Sequence, residues 1–439
     1  MTRSKSGSVG TGSGDVVTRR GFLGAAAAGA AASGFVEDMT VLDVLKNPAI
    51  AAEIKKQQKH VILLWLAGGA SQLETWDPKP GRPTGGPFLP ISTNVPGVEI
   101  SELLPKMAGR MQDTAIIRSL STGIGDHGGG AALMETGRRK EQGLQYPDLG
   151  AVIARELGRA DSQVPDYVSF YTSTEGRRKG TSGFLGARYA PMFLSDSMIP
   201  LNIRRLESVS DIDHKERADL RGLLARRFSQ GRTSRNNVLG SHTSAYQRVR
   251  GIMASEKLFN IDDEPTAVRE KYGPTQFAQQ CLIARRMVEA GVPFVKVARA
   301  WWDSHGQNFE THQELCADLD HSMSVLLTDL QERGLLENTL VITLAEFGRT
   351  PKINPSLGRD HFANAWSTSL SGCGIKGGSV YGKTDADGQT VAEGKIGAGQ
   401  LFATIFKALG IDHEKEYFIG ARPLPISDFG AHPVDEVLA

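Results

Sequence analysis

Residues 301–312 read WWDSHGQNFETH, which puts a carboxylate, Asp303, two positions before an imidazole, His305, directly after an apolar run. Three other stretches carry comparable groups. Asp126 and His127 immediately precede three glycines and a helical pattern. Glu346 leaves the end of an apolar run, and Asp360 with His361 follows across a Pro/Gly loop. Gln72, Glu74 and Asp77 come after the glycine pair that closes the first apolar run. Neutral imidazole together with carboxylate is the ligand set of zinc, manganese and similar divalent cations. Each cluster also has a plainer reading. Asp303 or Ser304 would cap the next helix, Asp126 would be an N-cap, Arg349 would pair with Glu346, and Asp360 with His361 would be a cap and a surface histidine. A cap at Asp126 leaves His127 and the glycine triplet unexplained, and the first turn of a helix there would suit an anion. Recurrence of the clusters favours a metal. His60, His214, His242, His321, His413 and His432 lack such company and read as structural or surface residues.

Such residues can meet only if the chain brings strand ends together. Three apolar runs, at 60–69, 292–302 and 339–348, have the continuous hydrophobic character of parallel strands covered on both faces. Residues 114–120 are a fourth candidate. Each of the three long runs ends at a glycine-rich or polar turn, where open α/β sheets place their chemistry. Leu319, Met323, Leu326 and Leu330 repeat at helical spacing and stop at Gly334. The alternation predicts an α/β fold, a mostly parallel sheet sandwiched by helices. Residues 205–270 are charge-rich with a helical pattern and read as a helical insertion or lid. Residues 84–96 should be a surface loop, and 377–399 a short hairpin before a last helix. The DADG in that hairpin lacks the other ligands of an EF-hand.

At 439 residues, with 40% hydrophobic, the chain can bury a large core. Fifty basic against 49 acidic residues give a net charge of +1, which offers no field for nucleic acid. Cys281, Cys316 and Cys373 are odd in number and widely spaced, so a metal would use nitrogen and oxygen ligands. Residues 18–33, TRRGFLGAAAAGAAAS, have the shape of a twin-arginine export signal with cleavage near 32–34. The expectation is an exported protein, periplasmic or extracellular, with a signal at 1–34 and an α/β domain at 59–439. The alanine run is too short and too weakly apolar for a lasting membrane span.

The stretches GGASQLETWDPKP, DHGGGAALMETG, WDSHGQNF, EFGRTP and GRDHFANAW together resemble a family of exported bacterial proteins of unknown function within the alkaline phosphatase superfamily, which includes sulfatases and metal-dependent phosphomutases. The resemblance implies an alkaline phosphatase-like fold. By analogy with the phosphomutases, it implies a metal held by Asp303, His305 and His361. The second-metal motif survives only as Glu346-Phe347-Gly348, and Ala67 to Gly69 replace the Asp that usually ends the first strand. HGGGAALMETG is similar to the nucleophile helix of sulfatases, with Gly130 in place of the arginine and no cysteine to become formylglycine. The implied activity is hydrolysis or transfer of a phosphate or sulfate ester, with a small anionic ester or glycan as partner. Asp303, His305 and His361 would hold the cation, Glu346 and Asp360 would ligate or orient, and Asp126 or His127 would serve as base or additional ligand. Ser121 and Thr122 could supply a hydroxyl, though turn roles suit them better. The alternative is a non-catalytic binding protein with a degenerate site.

Overall fold

The computed structural model describes residues 58–439 apart from 160, 161, 163, 172–179, 195–197, 199–207 and, between 230 and 255, all but 246 and 253. The export signal expected at 1–34 lies outside the described residues, and so does much of the expected insertion.

The chain begins its fold with strand β1 (His60–Leu66), buried along its whole length. A small antiparallel hairpin follows, β2 (Pro90–Ser92), which lies within the stretch 84–96 expected as a surface loop, with β3 (Glu99–Ser101). Next come β4 (Thr114–Leu120), helix α1 (His127–Thr136), α2 (Leu149–Leu157), β5 (Tyr167–Phe170) and β6 (Met192–Leu194). Helix α3 (Asp211–Ser229) occupies the charge-rich stretch. The second half runs through α4 (Gln276–Glu289), β7 (Phe294–Arg299), α5 (Asn308–Glu332), β8 (Thr339–Leu344), β9 (Gly348–Arg349), β10 (His361–Phe362), β11 (Trp366–Gly372) and β12 (Val380–Tyr381). A hairpin, β13 (Lys383–Thr384) with β14 (Val391–Glu393), then leads to α6 (Ala398–Ala408). In that hairpin the Asp385 carboxylate accepts from the backbone N–H of Asp387, Gln389 and Thr390. The acidic run is therefore turn chemistry.

Eight strands form one sheet in the order β12-β4-β11-β8-β1-β7-β5-β6. Pairing is parallel except at β11, which runs antiparallel to both neighbours. Helices flank this mostly parallel sheet. Lys296 on β7 reaches Glu135 on α1 at 2.5 Å, and α4 packs on β7 and β1.

Register is what positions the site. Leu66 is opposite Arg299, and Trp65 is opposite Leu344. The three central strands therefore end level with one another. The strand-like pairing of β1 with β7 runs on for two more bonds, Ala67 N–H to Arg299 O at 2.9 Å and Trp302 N–H to Ala67 O at 3.1 Å. All three loops leave from one edge. Each strand is shorter than its apolar run suggests, because the last residues of the run build the turn. Among the described residues no helix is long and apolar enough to cross a membrane.

Candidate metal centre

Asp303 sits on the turn after β7, and its carboxylate is the hub of the edge. Its Oδ1 lies 3.0 Å from His361 Nε2 and 3.1 Å from His305 Nε2, and it accepts from Arg349 Nη2. Its Oδ2 lies 3.0 Å from His127 Nε2. Each imidazole is fixed from behind through Nδ1. His127 Nδ1 meets Glu346 Oε1 at 2.8 Å, His305 Nδ1 meets Asp360 Oδ1 at 2.8 Å, and His361 Nδ1 meets the Gly125 carbonyl at 2.8 Å. In a neutral ring, an oxygen that accepts Nδ1–H leaves the lone pair on Nε2; in a protonated ring Nε2–H donates as well. Three histidines from three parts of the chain thus aim the same atom at one carboxylate.

Local sequence explains these placements. Asp126 caps α1, its Oδ1 accepting from Gly129 N–H at 2.7 Å, so His127 opens the helix beside Asp303. Gly130 lets that first turn approach β8's end, since a Cβ there would stand 2.9 Å from the Glu346 carbonyl oxygen. Gly69, with φ +90°, fits under the Phe347 ring, where a Cβ would come within 2.7 Å of Cδ2. Phe347 in turn stacks on His361, ring centroids 4.3 Å apart.

Arg349 pairs with Asp303 rather than with Glu346. Its guanidinium also donates to the Gly68, Gly69 and Arg359 carbonyls. Glu346 is fully buried; its Oε1 takes the Gly68 N–H at 2.9 Å as well as His127, while its Oε2 has no hydrogen-bond partner. Burial works against the Asp303 carboxylate, yet hydrogen bonds from His127, His361 and Arg349 hold it well below the usual carboxylate range. Hydrogen bonds to Asp303 and Glu346 raise His127 to about 9.

Of the residues singled out in the sequence, Asp303, His305, His361 and His127 converge through ligand atoms. Glu346 and Asp360 stand behind them, on the far side of the His127 and His305 rings. Asp126 does not face the cluster: its carboxylate is committed to the helix cap, the plainer of its two readings. Ser121 and Thr122 line a different cavity, of about 420 Å³, beside Arg138 and Gly397. Gln72 is buried and bridges the backbone of Arg349 from both sides, at 2.8 and 3.0 Å. Glu74 forms a buried ion pair with Arg359 at 2.8 Å, and Asp77 holds Lys79 and Thr384. Sequence reasoning missed Arg349 as the partner of Asp303, and it missed His312. That buried ring accepts the Ser71 N–H at 2.9 Å and donates to the Asn308 carbonyl at 2.9 Å, tying the loop after β1 to α5. No motif marks His312 beyond its place in residues 301–312.

The family described as Protein of unknown function (DUF1501) matches residues 58–438. The chain belongs to that family. No curated protein matches this DUF1501 chain. Among solved structures it is similar to a sulfatase from Pseudoalteromonas sp., at 12% identity and a TM-score of 0.41, over 90% of this chain and 76% of that one. It is also similar to an alkaline phosphatase superfamily protein from Vibrio parahaemolyticus (12% identity, TM-score 0.35, 81% and 67% covered). A third is the phosphonate monoester hydrolase of Agrobacterium radiobacter (12% identity, TM-score 0.34, 81% and 74% covered).

What this DUF1501 site can do follows from its donors. The ligand atoms of His127, Asp303 and His361 all lie within 4.8 Å of one another, a grouping that could hold a metal ion. His305 adds a fourth donor, its Nε2 being 3.0 Å from that of His361. His305 is half exposed, so the cluster opens to solvent on that side.

Proposed function

We propose that this DUF1501 protein is an exported, metal-dependent hydrolase or transferase of a phosphate or sulfate ester, with Asp303, His305 and His361 as the metal ligands. The observation that carries the reading is the triangle of Asp303 Oδ1, His305 Nε2 and His361 Nε2, with sides of 3.0, 3.0 and 3.1 Å. Three electron-rich atoms at that spacing repel one another unless a cation or a proton lies among them. Ligands about 2.0–2.2 Å from a shared ion stand close to this far apart. The rear contacts of Asp360 and the Gly125 carbonyl are the outer supports that ligating histidines use. One carboxylate oxygen and two imidazole nitrogens suit zinc or manganese.

A cation bound there would polarise an ester oxygen and lower the pKa of a bound water toward ~7. The rest falls to the chain. Arg349 anchors Asp303 so that its Oδ1 stays with the cation ligands. His127 lies on the other oxygen, Oδ2, braced by Glu346, and can hold a proton at Nε2 beside the reacting group. The twin-arginine motif at residues 18–33 supports export, and because that route carries folded proteins, often with a cofactor in place, it also favours a bound metal.

One observation favours a second reading, a binding protein with the same metal: α1 opens with His127 behind its cap Asp126, with no hydroxyl or thiol at its N-terminus. A single experiment separates the two. Protein purified from the cell without chelator should contain about one equivalent of zinc or manganese by elemental analysis. It should hydrolyse 4-nitrophenyl phosphate or sulfate, and both metal and turnover should be lost in His361→Ala. Metal without turnover on either ester leaves the binder; no metal in the wild type removes both readings.

A further inference from the structure

Among the described residues three non-glycine positions have positive φ: Trp301 at 77°, Gln307 at 51° and Leu357 at 54°. All three lie on two loops, 300–307 and 350–360, which between them supply Asp303, His305 and Asp360. The loops are stitched together by Gln307 N–H to Ser356 O (3.1 Å), Asn308 N–H to Leu357 O (3.0 Å), Arg359 N–H to Ser304 O (3.0 Å) and Asn354 Nδ2 to His305 O (2.9 Å). A bulky L-residue in the left-handed region is strained, and such strain persists where the surroundings impose it, most often at functional sites. At Trp301 the strained backbone sets a large aromatic ring outward. The residue is 58% exposed, whereas Trp302 beside it is wholly buried.

Trp301 borders a cavity of about 380 Å³ that it shares with Arg299, Asp303, Ser304, Thr311 and Glu314. Arg299 is already engaged with Asp318 at 2.8 Å. Beside that paired cation, which also lies 3.8 Å from Glu314, the walls present one aromatic face, the Asp303 and Glu314 carboxylates and a threonine hydroxyl, with Asp303 common to the cavity and the metal centre. A fatty chain needs continuous apolar walls, and a nucleotide needs cations for its phosphates. A pyranose needs what is present: a flat apolar surface for its C–H face and acceptors round the edge for its hydroxyls. We propose that Trp301 is the stacking platform of a saccharide subsite, and that the ester presented to the metal centre is carried on a pyranose ring. The fate of the ester rests on the hydrolase reading; the class of ligand rests on Trp301 and its cavity.

The test is binding, by isothermal titration and tryptophan fluorescence, of a sulfated hexose trisaccharide, its desulfated parent, adenosine 5′-monophosphate and decyl sulfate. Full-length wild type, Trp301→Ala and Trp301→Tyr are compared, with metal content measured in each. The sulfated trisaccharide should bind the wild type, lose at least tenfold in affinity in Trp301→Ala and stay within about threefold in Trp301→Tyr, at unchanged metal content. Saccharide binding that is equal in wild type and Trp301→Ala overturns the proposal; so does binding of adenosine monophosphate or decyl sulfate alone, or of none of the four. If Trp301→Ala does not fold, N-bromosuccinimide oxidation of the wild type, read by mass spectrometry, replaces it: protection of Trp301 by the trisaccharide supports the platform, and unchanged oxidation overturns it. Saccharide binding that depends on Trp301 in a protein without metal would sink the hydrolase reading and leave the platform standing.

Discussion

At the scale of single residues, His127 reaches both Glu346 and Asp303 only because the helix it opens lies against the end of β8, and Gly130 is what lets it lie there. A methyl group at 130 would stand 2.9 Å from the Glu346 carbonyl oxygen and 3.1 Å from Phe347 Cδ1. Neither can swing aside, one being backbone and the other a buried ring that carries His361. Gly128, two residues earlier, differs: its nearest neighbour would be Asp126 Oδ1 at 3.5 Å, an ordinary contact. Alanine in a helix gains roughly 0.5–1 kcal/mol over glycine, whereas overpacking costs typically about 1–3 kcal/mol. Gly128→Ala should therefore be neutral or stabilising in urea unfolding. Gly130→Ala should lose stability and, by moving His127 off the Asp303 carboxylate that ligates the metal, about tenfold in metal affinity. Equal tolerance at both positions would refute this account of the triplet. The sequence shows three glycines and a histidine in need of a reason; it does not show which glycine meets a neighbour from residue 346, because that contact crosses more than two hundred residues. For the same reason the partner of Arg349 was illegible. Its near neighbour Glu346 looked natural, but the guanidinium points back under β1's turn to Asp303.

At the scale of elements, two loops are clamped face to face, residues 67–77 after β1 and 346–361 between β8 and β10. Gln72 acts on the backbone of Arg349, and Glu74 acts on Arg359, with both side chains of that ion pair at 0% exposure. Arg359 spends its other donors on the Thr84, Thr350 and Pro351 carbonyls. Removing one member of a buried pair leaves the other charged and desolvated, at a cost of about 3–5 kcal/mol. Glu74→Ala should lower stability by that order in denaturant titration, and Glu74→Gln by less, since an amide oxygen still accepts from the guanidinium. A loss under ~1 kcal/mol in Glu74→Ala would show that the clamp is not structural. Strands β1, β4, β7 and β8 could be read from their apolar runs, but β11 could not. Its buried residues include Thr368, Ser369 and Ser371, whose hydroxyls are satisfied across the sheet: Ser369 with Thr343 at 2.7 Å and Ser371 with Thr114 at 2.9 Å. A strand that buries hydroxyls in matched pairs has no hydrophobic signature to find, and it is the one strand that breaks the parallel pattern.

For the whole molecule, the alternation of apolar runs and helical patterns was enough to foresee a mostly parallel sheet with its chemistry at one edge; it could not say how such a fold responds to pH. Three buried groups bind protons differently in the folded and unfolded chain between about pH 4 and 6.5. Burial lowers His60 and His312 to about 4, and burial with the nearby Glu135 raises Asp148 to about 7. Below its unfolded value of 6.5 each histidine takes up a proton in the unfolded chain but not in the folded one. Their stabilising contribution is therefore complete above pH 6.5 and is lost as pH falls toward 4. Asp148 has the opposite sign, because the folded protein keeps a proton that the unfolded chain releases above 3.8. Among these three, two protons against one leave a net contribution in which stability falls on acidification, by on the order of 1 kcal/mol per pH unit. The contribution of one histidine can be isolated. His60 donates from Nδ1 to the Val292 carbonyl at 2.9 Å, a bond that an asparagine amide can replace without titrating. The drop in unfolding free energy between pH 7 and pH 5 should shrink by about 2 kcal/mol in His60→Asn relative to wild type. An identical drop in the two proteins would mean that His60 titrates normally in the folded state, and that acid lability must come from elsewhere in the sheet.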